Sequence, residues 1–126
     1  MTIDPTVAVV DDEQPVRTML GRALRLAGYR VAPFACGEDF LASLHALAPS
    51  CVVLDVHMPG LSGFDVHARM HAAGTVVPAV FMTASDESAL DAAARKLNAR
   101  LLRKPFAIDD LVSAVDAAIA STGEGT

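Results

Sequence analysis

The stretch CVVLDVHMPG (Cys51–Gly60) decides the fold. Its first four residues are apolar without alternation, a carboxylate follows directly, and Pro59-Gly60 breaks the chain soon after. So short a run does not suit a helix, and its valines favour extended backbone, so it reads as a strand covered on both faces. Outward from it the same signal recurs at Val7–Val10, Val31–Phe34 and Ala79–Met82, and more weakly at Leu101–Leu102.

Segments of helical length separate these runs. The first is expected from Pro15 to about Ala27, with Val16, Met19, Leu20, Ala23, Leu24 and Ala27 on one stripe. Pro15 suits an opening turn and Gly28 a stop. The second carries Phe40, Leu41, Leu44 and Leu47 and ends before Pro49; the third runs from about Gly63 to Ala73; the fourth, alanine-rich, from about Glu87 to Leu97. The last places Ile108, Leu111, Val112, Val115 and Ile119 on one helical stripe. Residues 1–120 are expected to form one domain, with 121–126 a flexible tail or the start of a linker. Strands alternating with helices predict an α/β fold. The expected architecture is a flavodoxin-like (βα)5 three-layer sandwich with a parallel sheet of order 2-1-3-4-5.

Composition narrows the function. The 126 residues are 52% hydrophobic and 20% charged, a globular balance that can form a core without disulfide or metal support. A net charge of −5 argues against bulk nucleic-acid binding, which needs a basic footprint. No apolar run approaches the roughly 20 residues of a membrane span, and the first residues lack a signal-peptide pattern. Cys36 and Cys51 have no metal-ligand spacing and read as reduced, buried thiols. A cytoplasmic location is expected.

In parallel α/β sheets ligands bind beyond the carboxyl ends of the strands. Here those ends carry Asp11, Asp12 and Glu13 after the first strand, Asp55 after the third, Thr83 after the fourth and Lys104 after the fifth. Carboxylates about 4 Å apart repel by ~4 kcal/mol at an effective dielectric near 20, so such a cluster protonates or holds a cation. Oxygen-only ligands select a hard ion, and a site shared with a phosphoryl group suits Mg²⁺. Lys104 adds a positive charge, Thr83 a hydroxyl donor, and a carboxylate can act as nucleophile to form an acyl phosphate. These are the parts for phosphoryl transfer onto aspartate.

VVDDEQPVR (Val9–Arg17), VVLDVHMPGLSGFDV (Val52–Val66), FMTAS (Phe81–Ser85) and RKPF (Arg103–Phe106) resemble the four signatures of response-regulator receiver domains of two-component systems, from Val7 to about Ala120. The resemblance implies that Asp55 is the phosphoacceptor, with a histidine kinase or phosphotransfer protein as donor. It implies that Asp12 and Asp55 bind Mg²⁺ directly, with the backbone carbonyl of His57 as a third ligand and Asp11 acting through water. Lys104 would pair with Asp55 at rest, Pro105 would follow a cis peptide, and Thr83 would swing toward the phosphoryl group. The signalling face would comprise the fourth helix, fifth strand and fifth helix, where a homodimer or output partner would bind. His57 and Ser85 stand where the family tunes hydrolysis of the acyl phosphate. Leu101 departs from the pattern, because the family usually has Tyr or Phe there as a rotating partner to the threonine. The Thr83–Lys104 interval is also shorter than in many relatives, and Asn98-Ala99 replaces the usual Gly-Ala. Output is therefore expected to rely on movement of the fourth helix and its loop, with Leu101 a packing residue.

Other readings fare worse. An aspartyl-phosphate hydrolase would carry its nucleophile on the first strand and add a cap domain. A flavin carrier would need a neutral phosphate loop where DDEQP stands, and no Walker motif supports nucleotide hydrolysis. The domain is therefore expected to be a signalling phosphoacceptor rather than an enzyme. The alternative is a degenerate receiver that binds a partner without phosphorylation, against which the complete Asp11, Asp12, Asp55, Thr83 and Lys104 set argues. His67 and His71 have i, i+4 spacing but no third ligand, and read as a solvated helix face. Arg95, Lys96, Arg100 and Arg103, opposite in sign to Asp109, Asp110 and Asp116, read as solvated surface charge or a contact face.

Overall fold

The computed structural model describes residues 4–124. Five strands, β1 (Thr6–Val10), β2 (Arg30–Phe34), β3 (Cys51–Asp55), β4 (Ala79–Thr83) and β5 (Arg100–Arg103), alternate with five helices. These are α1 (Gln14–Leu26), α2 (Gly37–Leu47), α3 (Gly63–Ala72), α4 (Ala89–Lys96) and α5 (Ile108–Glu124). All strands are parallel in the order β2-β1-β3-β4-β5. This is the flavodoxin-like arrangement.

The unbroken apolar runs are explained by the two layers of helix. On one face Ala8, Val10, Val52, Leu54 and Phe81 pack with Phe40, Leu44, Val66, Met70 and Ala94 from α2, α3 and α4. On the other, Val7, Val9, Val53, Val80 and Met82 pack with Leu20, Leu24, Leu111, Ala114 and Val115 from α1 and α5. Successive side chains point to opposite faces, so a strand covered on both sides has no polar position to alternate. Each fully buried aliphatic side chain contributes about 1.5–3 kcal/mol, and these two clusters hold the sheet between its layers.

Several expectations are revised. β2 is an edge strand, only half covered, with Pro33 exposed where an edge tolerates a missing N–H. On α1 the buried stripe is Leu20, Gly21 and Leu24, while Met19 and Ala27 face outward. α4 is shorter than its alanine-rich segment. α5 continues through Glu124, because nothing in residues 121–124 removes a backbone donor as proline would. The expected tail from 121 is therefore helical as far as 124, and residues 125–126 lie outside the described residues. Asn98 takes a left-handed conformation (φ 55°) just after α4, which accounts for the Asn-Ala that stands there, since Asn tolerates that region better than most residues.

Gly63 ties the fold to the sheet edge. Ser62 caps α3 in a reciprocal capping box with Asp65, and the Gly63 N–H donates to the Val56 carbonyl at 3.0 Å. A Cβ on Gly63 would lie 2.5 Å from the Asp55 carbonyl oxygen, so α3 starts hard against the end of β3. Gly63→Ala is expected to push the two apart and cost about 1–3 kcal/mol of stability, measured by urea unfolding; an unchanged midpoint would show that the contact relaxes freely.

Candidate functional site

Register brings the polar strand ends level. Val10 pairs with Leu54, Asp55 with Met82 and Thr83 with Arg103, so the residues that follow β1, β3 and β5 open onto one edge. Asp11, Asp12 and Asp55 each offer a carboxylate oxygen within 4.8 Å of the others. Asp11 is fully buried, Asp55 nearly so, and Asp12 is exposed.

Each buried carboxylate is held by named donors. Asp11 Oδ1 accepts from the Glu13 N–H at 2.9 Å, and Asp11 Oδ2 accepts from Lys104 Nζ at 2.7 Å. Lys104 Nζ stands 3.5 Å from Asp55 Oδ2 and 4.0 Å from Glu13 Oε1. The ammonium thus pairs with Asp55, as the resemblance implied, and stands closer still to Asp11. Asp55 Oδ1 accepts a longer hydrogen bond, 3.3 Å, from the His57 N–H. Lys104 precedes a cis peptide to Pro105, as the resemblance implied, and its own N–H donates to the Thr83 carbonyl at 2.8 Å. Thr83 is buried, and its Oγ1 accepts from the Ser85 N–H at 3.0 Å. Leu101 packs half-buried against the α2–α4 side of the core, as its apolar side chain requires.

The electrostatics follow from this crowding. Burial pushes the Asp55 carboxyl above its ordinary value of 3.8; the Lys104 charge opposes the rise and Asp11 adds to it. Burial lowers the Lys104 ammonium, but its hydrogen bond to Asp11 and the charges of Asp11, Asp55 and Glu13 outweigh that and raise it overall. The three carboxylates of Asp11, Asp12 and Asp55 outnumber the one Lys104 ammonium, and every ligand atom they offer is oxygen. That is the setting in which a hard divalent cation binds. Asp11, Asp12 and Asp55 are the carboxylates that could hold such an ion, and both Asp11 oxygens also accept from protein donors.

Two supporting residues escaped the sequence reading. Arg17 Nη1 donates to the Asp11 carbonyl at 2.8 Å, fixing the backbone of the acidic turn from α1. Arg103, grouped there with solvated surface charge, instead reaches across to the β4–α4 loop, with Nε donating to the Ser85 carbonyl and the guanidinium forked onto Asp91. Adjacency to Lys104 was the one available signal for Arg103. His71 is exposed as expected, whereas His67 is half-buried: its ring lies beside Phe81, centroids 5.9 Å apart, and burial followed by the His71 charge lowers its pKa. Cys51 is buried as expected, with its thiol pushed up to about 12 by burial, and Cys36 is half-buried.

With this geometry in place, known proteins supply the context. The response regulator receiver domain family matches residues 7–116. The chain belongs to this family. The receiver is 38% identical over 120 residues to the transcriptional regulatory protein FixJ of Bradyrhizobium diazoefficiens, which aligns 94% of this chain with 58% of that protein. It is 36% identical over 122 residues to the transcriptional regulatory protein PrrA of Mycobacterium tuberculosis, over 94% of this chain and 52% of that protein. The solved structure of the response regulator StyR superimposes with a TM-score of 0.88 at 36% identity, over 97% of this chain and 62% of that one. The crystal structure of FixJ-N gives 0.86 at 28% identity, over 94% and 96%. The receiver thus spans about half the length of the full-length relatives it matches. Among the described residues no helix is long and apolar enough to cross a membrane.

A carboxyl whose folded pKa is raised lowers stability once it ionises. The penalty is present in full above the raised value and vanishes as pH falls below the unfolded 3.8. Asp55→Asn, compared with wild type in EDTA, is expected to be more stable at neutral pH by on the order of 1 kcal/mol. The gain should shrink as pH falls toward 3.8. Urea unfolding across that range checks it, and a gain that grows on acidification would reverse the assigned cause.

Proposed function

We propose that Asp55 accepts a phosphoryl group from a histidine kinase or phosphotransfer protein in a Mg²⁺-dependent reaction, and that the receiver signals through α4, β5 and α5. The observation that carries this reading is the convergence of Asp11, Asp12 and Asp55 around the Lys104 ammonium on one sheet edge, in a chain of the receiver family. The two carboxylates of Asp12 and Asp55, with the His57 backbone carbonyl, would hold Mg²⁺, which when bound neutralises charge on the transferring group.

The protein's own groups define the rest. An ionised Asp55 oxygen attacks phosphorus, a new O–P bond forms, and the bond to the donor's imidazole nitrogen breaks with the electron pair leaving on that nitrogen. Lys104, already 3.5 Å from Asp55 Oδ2, stabilises the added negative charge. Thr83 Oγ1, a buried hydroxyl that now accepts from the Ser85 N–H, can rotate to donate to a phosphoryl oxygen. That rotation pulls on the loop leading to α4 and biases the signalling face. The full-length relatives are transcriptional regulators about twice as long, which supports a receiver that controls an attached output domain.

Incubation with Mg²⁺ and acetyl phosphate is expected to add about 80 Da to wild type and nothing to Asp55→Ala, read by intact-protein mass spectrometry. No gain in folded, Mg²⁺-loaded wild type would replace this reading with that of an unphosphorylated binding module. His57→Ala and Ser85→Ala are each expected to change the decay of that added mass severalfold, since both stand at positions where the family tunes hydrolysis. Identical decay curves in both variants would remove them from that role.

A further inference from the structure

We propose that Arg103 is a positioning residue, a latch that pins the β4–α4 loop and the start of α4 to β5, and that its release favours the state in which Asp55 takes a phosphoryl group. The proposal rests on the reading of Asp55 as phosphoacceptor and adds to it a regulator particular to this chain.

One guanidinium does the pinning. Arg103 Nε donates to the Ser85 carbonyl at 3.1 Å and Nη2 to the Glu87 carbonyl at 2.8 Å. Nη1 and Nη2 grip the Asp91 carboxylate at 2.9 and 3.0 Å. An isolated surface ion pair contributes little, because two long side chains must be ordered to make it. Here the same side chain also donates to the Ser85 carbonyl and, alongside the Leu90 N–H, to the Glu87 carbonyl, in a planar fork that lysine cannot reproduce. α4 is the shortest of the five helices, and Ala94 is its one buried residue, so few apolar contacts hold it.

The latch is mechanically joined to the site. Thr83 and Arg103 are register partners, and the next residue, Lys104, donates its N–H to the Thr83 carbonyl. Ser85 gives its N–H to Thr83 Oγ1 and its carbonyl to Arg103 Nε, while Ser85 Oγ accepts from the Glu87 N–H at 3.2 Å. If the Thr83 hydroxyl turns toward Asp55, Ser85 loses its acceptor and the loop shifts. Ser85 and Glu87 cannot shift without changing their distances to a guanidinium rooted in β5. The resting arrangement is therefore favoured by the Arg103 contacts, and weakening them moves the balance toward the displaced loop.

The test compares the full wild-type chain with Arg103→Lys, Arg103→Gln and Asp91→Asn. Asp91 lies at the surface and its amide replacement is expected to fold, which thermal melting checks. Without phosphodonor, amide exchange in residues 84–96 is expected to quicken roughly three- to tenfold in the Arg103 variants and less in Asp91→Asn, with β1 and β3 unchanged. The initial rate of mass gain from acetyl phosphate and Mg²⁺ is expected to rise by a similar factor. Unchanged exchange in all three variants would overturn the latch. Faster exchange with an unchanged or lower phosphorylation rate would overturn its link to Asp55. Wild type that gains no phosphoryl group would instead sink the phosphoacceptor reading, with exchange alone then deciding the latch.

Discussion

Two buried carboxylates, Asp11 and Asp55, share one ammonium at the edge of the sheet, and most of the structure around them serves to keep that imbalance in place. Burying an anion costs several kcal/mol unless it is paired, and Lys104 pairs fully with only one of the two. The ammonium can reach both because β5 is hydrogen-bonded to β4 and because the Lys104 N–H is fixed on the Thr83 carbonyl. Arg17 holds the Asp11 backbone from the α1 side, and Gly63 lets α3 begin directly beneath Asp55. The strained feature of the molecule is thus electrostatic rather than conformational. It is relieved by adding positive charge, which a hard divalent cation at the cluster would supply.

The hydrophobic layers make that imbalance tolerable. Asp55 terminates a strand whose four preceding residues are wholly buried, so its backbone cannot withdraw toward solvent without exposing Cys51–Leu54. Asp11 is held similarly behind Val7–Val10. Two rigid strands therefore present the carboxylates, whereas the loop after β4 and the short helix α4 are tied mainly by polar contacts. The division between a fixed set of charges and a movable cover follows from where the apolar residues lie.

How far the sequence could be read reflects the same division. The valine runs, the Gly and Pro stops and the acids at strand ends are local signals, and they were sufficient for the element order; the sheet order, and with it the shared edge, came from the rule for right-handed crossovers and the resemblance to receiver domains. Long-range choices were not legible. That Lys104 sits closer to Asp11 than to Asp55 depends on tenths of an ångström in register and rotamer. That Met19 faces outward while Gly21 faces in depends on how α1 rolls against β2 and α5. Helix α5 outran its apolar stripe because a backbone ladder continues wherever nothing stops it, whether or not its side chains pack. The contacts of Arg103 were not legible because charge composition does not show which groups a guanidinium will reach; the Ser85 and Glu87 carbonyls became visible only with the loop in place.

Leu101 and Arg103 are best understood together. Leu101 sits half-buried against the core with no polar tip, so it cannot exchange hydrogen bonds with Thr83 or follow it into a vacated space. A threonine that moves in such a site needs another route to the surface. The hydrogen-bonded series from Thr83 through Ser85 to Arg103 and Asp91 is continuous and ends on α4. Aromatic packing would transmit movement by filling or emptying a cavity, a steric signal that salt barely affects. A series closed by an exposed guanidinium–carboxylate fork transmits it by making and breaking charged contacts, which ions screen. On the reading of Asp55 as phosphoacceptor, the substitution at Leu101 therefore changes the physical nature of the coupling without removing it. The signalling face of this receiver would then be set as much by ionic conditions around Arg103 and Asp91 as by shape.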